Sequence, residues 1–258
     1  MKQIIKFVLL FRLLFIRPTW FWSYIWYSSK NPFYLNKHNI DRMVEYKNYS
    51  LDFVDILKKI TNSTHDEIQK FVEEFKEIEI HAGLKTFIIP SYCDASNELR
   101  CLCYCLIRLI KPLHVVETGV ARGVTSFYLL LAMKKNGTGS LYSIDLPLLK
   151  LDAKKEIGIL VPDELRSRWT IIYGPGPFEM KKLRKKTNSI DLFIHDSSHN
   201  YLNQLMEYDI ALNWLKKGGV LVSDDVENNA LIEVKEKNGV ELSILNQAKS
   251  SYLGVIQR

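Results

Sequence analysis

Three aspartates, one histidine and a glycine-rich turn are the residues whose types and spacing could do chemistry in this chain. Asp196 closes the apolar run Ile190–Asp196, and Asp224 and Asp225 follow the run Val220–Ser223. If those runs are neighbouring parallel strands, the three carboxylates meet at one rim. Carboxylates that converge without compensation repel, and one of them keeps a proton. A divalent cation removes the conflict, and hard oxygen ligands completed by water or substrate suit Mg²⁺. The alternative is capping, with Asp225 opening the next helix and Asp196 the helix after Ser197-Ser198. His199 lies three residues beyond Asp196, near a helix start. The dipole there disfavours imidazolium and leaves a neutral ring able to accept a proton. This makes His199 the candidate general base, against a structural or substrate-bonding histidine. His195 sits next to Asp196 in the strand and should face the other way, into packing.

A second constellation lies upstream. The run Glu117-Thr118-Gly119-Val120-Ala121-Arg122-Gly123 places glycines at 119 and 123, where a backbone can approach a ligand closely. A following helix would present its free amides there. The next apolar run ends in Asp145, a position from which a carboxylate accepts from both hydroxyls of a ribose. A turn residue before Leu146-Pro147 is the other reading of Asp145. The pattern is E-x-G-x-x-x-G, not G-x-G-x-x-G, which counts against a dinucleotide.

The elements that must position these groups follow from punctuation and periodicity. Residues 51–60 and 66–80 have helical periodicity, with Ser63 or Thr64 as a cap for the second. A helix over Asn97–Ile110 leads through Lys111-Pro112 to a strand, His114–Glu117. A helix Val124–Lys135, the turn Asn136-Gly137-Thr138-Gly139 and a strand Leu141–Asp145 come next. Further strands are read at Trp169–Tyr173, Ile190–Asp196 and Val220–Ser223. A helix is expected from about Tyr201 to Leu215, stopped by Gly218-Gly219. Strands near Glu241–Leu245 and Tyr252–Gln257 form an antiparallel end. Alternating strands and helices imply an α/β, Rossmann-like, doubly wound and mostly parallel sheet of seven strands with an N-terminal helical extension. Ligands of such sheets gather at the C-terminal strand ends, where the residues above lie.

The stretches VVETGVARGVTSFYLLLA and SLYSIDLP resemble the first two cofactor motifs of class I S-adenosylmethionine-dependent methyltransferases. With LVPDELRSRW, IDLFIHDSSHNY and GGVLVSDDV, residues 96–258 resemble bacterial metal-dependent small-molecule O-methyltransferases of the macrocin and catechol types. The resemblance implies that Glu117, Gly119 and Gly123 cradle the methionine part and that Asp145 holds the ribose. It adds Ala121, Thr125, Ser126, Leu146 and Asp196 to the cofactor set. It also implies Mg²⁺ on Asp196, Asp224 and Asp225, with His199 as the base. The acceptor is then a hydroxyl of a sugar, a glycoconjugate or a natural product. The segment Tyr173-Gly174-Pro175-Gly176-Pro177 departs from the family's usual Gly-Asp and leaves the adenine side without a match. A cephalosporin-hydroxylase-like enzyme on the same fold and a non-catalytic S-adenosylmethionine-binding protein are the competing readings.

Composition sets the frame. The 258 residues, 47% hydrophobic and 25% charged, suit one α/β domain with an extension. A net charge of +6 without a recognition motif does not make a nucleic-acid binder, and Lys181–Lys186 reads as a solvated helix face. Cys93, Cys101, Cys103 and Cys105 read as small buried hydrophobes of a reducing cytoplasm. Residues 1–37 form an aromatic-basic arm, residues 38–95 a helical cap or oligomer region, and residues 96–258 the catalytic domain. The apolar run at 4–16 is too short to span a bilayer, and the aromatics that follow suit a membrane–water interface. Residues 4–27 therefore read as a peripheral anchor on the inner membrane face, with packing on the domain or on a second subunit as the alternative, and a cleaved signal as the least suited.

Overall fold

The computed structural model describes residues 2–28, 46–81, 95–148, 152–226, 228–247 and 251–258. The arm forms two helices, α1 (Lys2–Ile16) and α2 (Pro18–Ser28), broken at Arg17. Pro18 has no amide hydrogen to lose and is suited to open the second helix. Next come α3 (Phe53–Thr61) and α4 (His65–His81). Asp52 caps α3 by accepting from the amides of Val54 and Asp55. Thr64 and Glu67 form a capping box ahead of α4. Glu67 Oε2 accepts from the Thr64 amide at 2.8 Å, and Thr64 Oγ1 accepts from the Glu67 amide at 3.3 Å. Helix α5 (Asn97–Ile110) is capped by Ser96 and ends at Lys111 in the left-handed region, before Pro112.

Alternation then takes over: β1 (His114–Thr118), α6 (Val124–Asn136), β2 (Ser140–Asp145), the short α7 (Ala153–Glu156), a 3-10 turn (Asp163–Arg168), β3 (Trp169–Tyr173) and α8 (Gly176–Arg184). The chain continues with β4 (Ile190–His195), α9 (Tyr201–Leu212), β5 (Leu215–Ser223), α10 (Ala230–Asn238), β6 (Glu241–Asn246) and β7 (Tyr252–Gln257). The strands form one seven-stranded sheet in the order β3-β2-β1-β4-β5-β7-β6. Strands β1 to β5 are parallel, and β7 runs antiparallel to both of its neighbours. Strand order reverses between β1 and β4, which opens a crevice at their carboxyl ends.

One helix boundary differs from the sequence expectation. Helix α9 stops at Leu212, and β5 starts at Leu215 instead of Val220. Ile190 of β4 pairs with Leu215 and Leu192 with Val220, so residues 216–219 bulge from the ladder, with Gly218 at φ +77°. Apolar side chains pack both faces. Helices α3 to α6 cover one face through residues such as Leu102, Leu129 and Val222, and α8 to α10 cover the other through Phe193, Tyr208 and Leu221. Cys101, Cys103 and Cys105 are free thiols buried in the first of these cores. Cys93 lies outside the described residues.

Helix α2 packs on the domain. Trp20 and Ser23 are buried, and the Tyr24 hydroxyl donates to the carbonyl of Pro147. Helix α1 instead leaves Phe7, Phe11 and Phe15 mostly exposed. No helix among the described residues is long and apolar enough to cross a membrane. Residues 46–81 pack against α5 and the β6 edge: Lys59 pairs with Glu241 at 3.0 Å, and the Gln257 amide donates to the carbonyl of Ile60 at 3.0 Å.

Candidate active site

Register places the chemistry. Thr118, His195 and Ser223 stand side by side on β1, β4 and β5. Residues that share a register row share a face, so these three point to the α9 side and their chain neighbours to the other. The ladder continues one step further, with the Asp196 amide donating to Thr118 O at 2.8 Å and the Asp224 amide to His195 O at 2.9 Å. Asp196 and Asp224 therefore follow one another across the same rim.

Together these ends wall a cavity of about 570 Å³, a size that holds a nucleoside-scale ligand. Gly119, Ala121, Asp145, Leu146, Asp196, His199, Asp224 and Asp225 all line it. Glu117, Gly123, Thr125 and Ser126 stand behind that wall. Gly123 caps α6 at φ +89° and abuts the turn at Gly158, where a Cβ would lie 2.9 Å from the Gly158 Cα. Thr125 Oγ1 donates to Asp196 Oδ2 at 3.1 Å. Ser126 and Ser143 each donate to Glu117 Oε2 at 2.6 Å.

Asp145 fastens the glycine turn. Its Oδ2 accepts from the Val120 and Ala121 amides at 2.7 and 2.9 Å, and its other oxygen is outside both bonds. Ala121 is held at φ +44° in that turn. Glu117 is fully buried with Oε1 unpartnered. Burial pushes its carboxyl up to about 7 although the two serines pull it down. Between its ordinary 4.5 and about 7 the folded chain keeps a proton that the unfolded chain has released. Stability from this group is thus lost as pH rises through that window and is level above it. Replacing Glu117 by glutamine should flatten this slope. Urea midpoints at about pH 5 and about pH 8 should lie closer together in the variant than in the wild type, and an unchanged gap would refute the assignment.

Asp196, His199 and Asp224 offer one ligand atom each, all within 4.8 Å of one another. Burial, then Asp224 and Glu117, push the Asp196 carboxyl up, and burial with Asp225 pushes Asp224 up to about 6. Burial and the neighbouring His195 push His199 down to about 4, so its ring is neutral at physiological pH. Two carboxylates and a neutral imidazole each bring one lone-pair atom to this point, the ligand set of a divalent cation. Asp225 lies outside this group. Its backbone turns at φ +46°, and its Oδ2 faces His199 Nε2 at 3.9 Å.

Several contributors were not anticipated. Glu207 on α9 is fully buried, yet it reaches the cavity wall. It accepts from Thr118 Oγ1 at 2.5 Å, contacts His195 Nδ1 at 2.7 Å and accepts from Ser197 and Asn203. His195 is fully buried by this pairing, with its ring 5.6 Å from that of His199. Gln247 donates to Asp224 Oδ1 at 2.6 Å and is itself held by Ser251 at 2.5 Å, which orients the carboxylate. Tyr24, from the arm, lines the cavity as well. Asn200, Asn203, Gln204 and Glu207 recur at helical spacing, and that polar stripe was the available signal for Glu207.

Residues 116–226 match the family model described as a methyltransferase domain. Over that segment the chain resembles a methyltransferase domain. No curated protein matches it. Among solved structures, the chain is similar to an O-methyltransferase from Bacillus cereus in complex with SAH. That likeness has a TM-score of 0.53 and 10% identity, covering 83% of this chain and 100% of the other. It is also similar to the O-methyltransferase TomG from Streptomyces achromogenes, involved in tomaymycin synthesis, in complex with SAM. The TM-score there is 0.53 at 14% identity, covering 83% and 98%. At such identities the likeness is one of fold. The cavity lies where that fold's topology puts a ligand, at the switch between β1 and β4.

Proposed function

We propose that this chain is an S-adenosylmethionine-dependent O-methyltransferase that methylates a hydroxyl of a sugar, glycoconjugate or natural product, assisted by a divalent cation, Mg²⁺ by ligand type. One observation carries the reading: Asp196, His199 and Asp224 cluster on the same cavity wall as Gly119, Ala121 and Asp145. A nucleoside holder and a cation holder thus share one space. Asp145 would accept from the ribose, with the Gly119–Ala121 turn and Leu146 beside it. Glu117, Thr125 and Ser126 would act from behind, by fixing the rim. Asp196 and Asp224 would hold the cation, with Asp225 contributing from the far side of His199.

S-adenosylmethionine supplies a sulfonium methyl group whose sulfur leaves with the bonding pair as the acceptor oxygen takes the carbon. A cation held by the carboxylates would supply Lewis acidity that lowers the acceptor's pKa. His199, neutral and beside the carboxylates, takes the hydroxyl proton at a ring nitrogen. The Thr118–Glu207–His195 network holds the floor under it. The closeness of His199 to both carboxylates favours a second reading, in which the imidazole is a third ligand. The same nitrogen cannot fill both roles at once.

Calorimetry with S-adenosylmethionine should give saturable binding at one site per chain. Asp145→Ala should weaken it by roughly 10–100-fold, because the turn loses its fastening and the ribose its acceptor. Mass analysis after incubation with labelled cofactor then separates methyl transfer from hydroxylation. Absence of any binding would leave only a vestigial site. The arm's aromatic and basic residues support a peripheral position at a membrane, on the cytoplasmic face.

A further inference from the structure

A second cavity, of about 430 Å³, lies between α1–α2 on one side and Pro147, Leu148 and residues 152–155 on the other. Tyr24 and Leu148 line both this groove and the cavity of the methyltransferase site, so the two share a wall. Leu9, Leu13 and Trp20 give the groove an apolar side, and Arg12, Arg17, Lys154 and Lys155 give it a cationic one. The Trp20 ring carries the Arg17 guanidinium 4.6 Å from its centroid and the Lys154 ammonium at 5.8 Å. Two like charges gathered on one ring repel each other, and an anion beside them relieves that repulsion. Among the described residues of the groove wall the one acid, Asp152, is paired with Lys155 at 2.9 Å.

The wider arm has the same sign. Residues 1–40 contain Lys2, Lys6, Arg12, Arg17, Lys30 and Lys37 and no acid, while the other 29 basic and 29 acidic residues of the chain cancel. Along the sequence the whole formal charge of +6 therefore falls in the first 40 residues, the stretch whose α1 also exposes Phe7, Phe11 and Phe15. Apolar exposure together with unbalanced positive charge is the complement of an anionic amphiphile.

We propose that this groove is a subsite for an acceptor that carries a phosphate-type anionic head on an apolar chain. The head sits among Arg12, Arg17 and Lys154, the chain lies along Leu9, Leu13 and Trp20, and the hydroxyl-bearing part passes Tyr24 into the catalytic cavity. This rests on the methyltransferase reading for its use, but the groove's binding chemistry is measurable without it.

The test uses the full chain and dodecyl phosphate below its micelle concentration, with dodecyl maltoside and inorganic phosphate as the neutral-chain and free-anion arms. Dodecyl phosphate should bind saturably, one per chain, and each of the other two at least about tenfold more weakly. Charge reversal by Arg12→Glu with Lys154→Glu should weaken dodecyl phosphate by about tenfold or more while S-adenosylmethionine affinity stays unchanged. Arg12→Gln and Lys154→Gln, made singly, should give smaller losses in the same direction. Equal binding of dodecyl maltoside, equal binding of inorganic phosphate, or an unaltered affinity in the charge-reversed chain overturns the proposal. A wild-type chain that binds dodecyl phosphate but not S-adenosylmethionine would sink the methyltransferase reading and leave the groove standing.

Discussion

Asp224→Ala and His199→Ala should each reduce methyl transfer by on the order of 10²–10⁴-fold, with S-adenosylmethionine still bound. Asp224 is placed for this by the ladder that carries it beside Asp196 and by Gln247 and Ser251, which fix its orientation. Its raised pKa of about 6 adds a pH signature. A cation must displace that proton, so cation affinity should fall as pH drops below about 6. Chelation should bring the wild-type rate close to that of Asp224→Ala. The two roles open to His199 separate cleanly in the same experiment. If the ring is the base, His199→Ala loses turnover and keeps cation affinity. If it is a ligand, cation affinity falls with turnover. Wild-type rates in both variants would remove the chemistry from this rim altogether.

Much of the rim could be read before any coordinates, because strand ends in a doubly wound sheet are a short-range property. Asp145, Asp196 and Asp224 each end an apolar run bounded by turn residues, and parallel neighbours bring such ends together without further information. Glu117 was harder to place. One residue before Thr118, it faces the opposite side of the sheet, where Ser126 and Ser143 bind it and it does not reach the cavity wall. The placing of Asp225 was less legible for a local reason: its backbone turns in the left-handed region and its carboxylate faces His199. Sequence spacing does not report such a turn at a non-glycine residue. The docking of α2 lay further out of reach, since Tyr24 meets Pro147 across 123 residues of chain. Glu207 occupied the middle ground. Its helical polar stripe was visible, but its partners Thr118 and His195 come from two other strands.

Among the described glycines, Gly119→Ala should be the most damaging substitution. A Cβ at Gly119 would lie 1.9 Å from the carbonyl oxygen of Asp196 and 2.4 Å from its carbonyl carbon. Both are backbone atoms, so no rotamer change makes room. The Asp196 amide is itself tied to Thr118 O at 2.8 Å, one residue before the glycine, which fixes the two strands at that separation. The residue also holds φ +84°, where a side chain is strained even in open space. Gly137 gives the comparison. It too is left-handed, at φ +72°, but no atom lies within 4 Å of its Cβ position. Gly137→Ala should then cost about 1 kcal/mol, the backbone share alone. Gly119→Ala should cost about 4 kcal/mol or more, because clash adds to strain. Any relaxation must push the carbonyl of Asp196 away, and with it the carboxylate that meets Thr125, His199 and Asp224. Activity should therefore be lost even in a fraction that remains folded at low temperature. Urea denaturation of both variants, followed by methyl-transfer assays on the folded fraction, measures the two effects separately. Similar midpoints for Gly119→Ala and Gly137→Ala would mean that β1 and β4 do not approach each other at this point, and the shared wall of the nucleoside and cation holders would lose its basis.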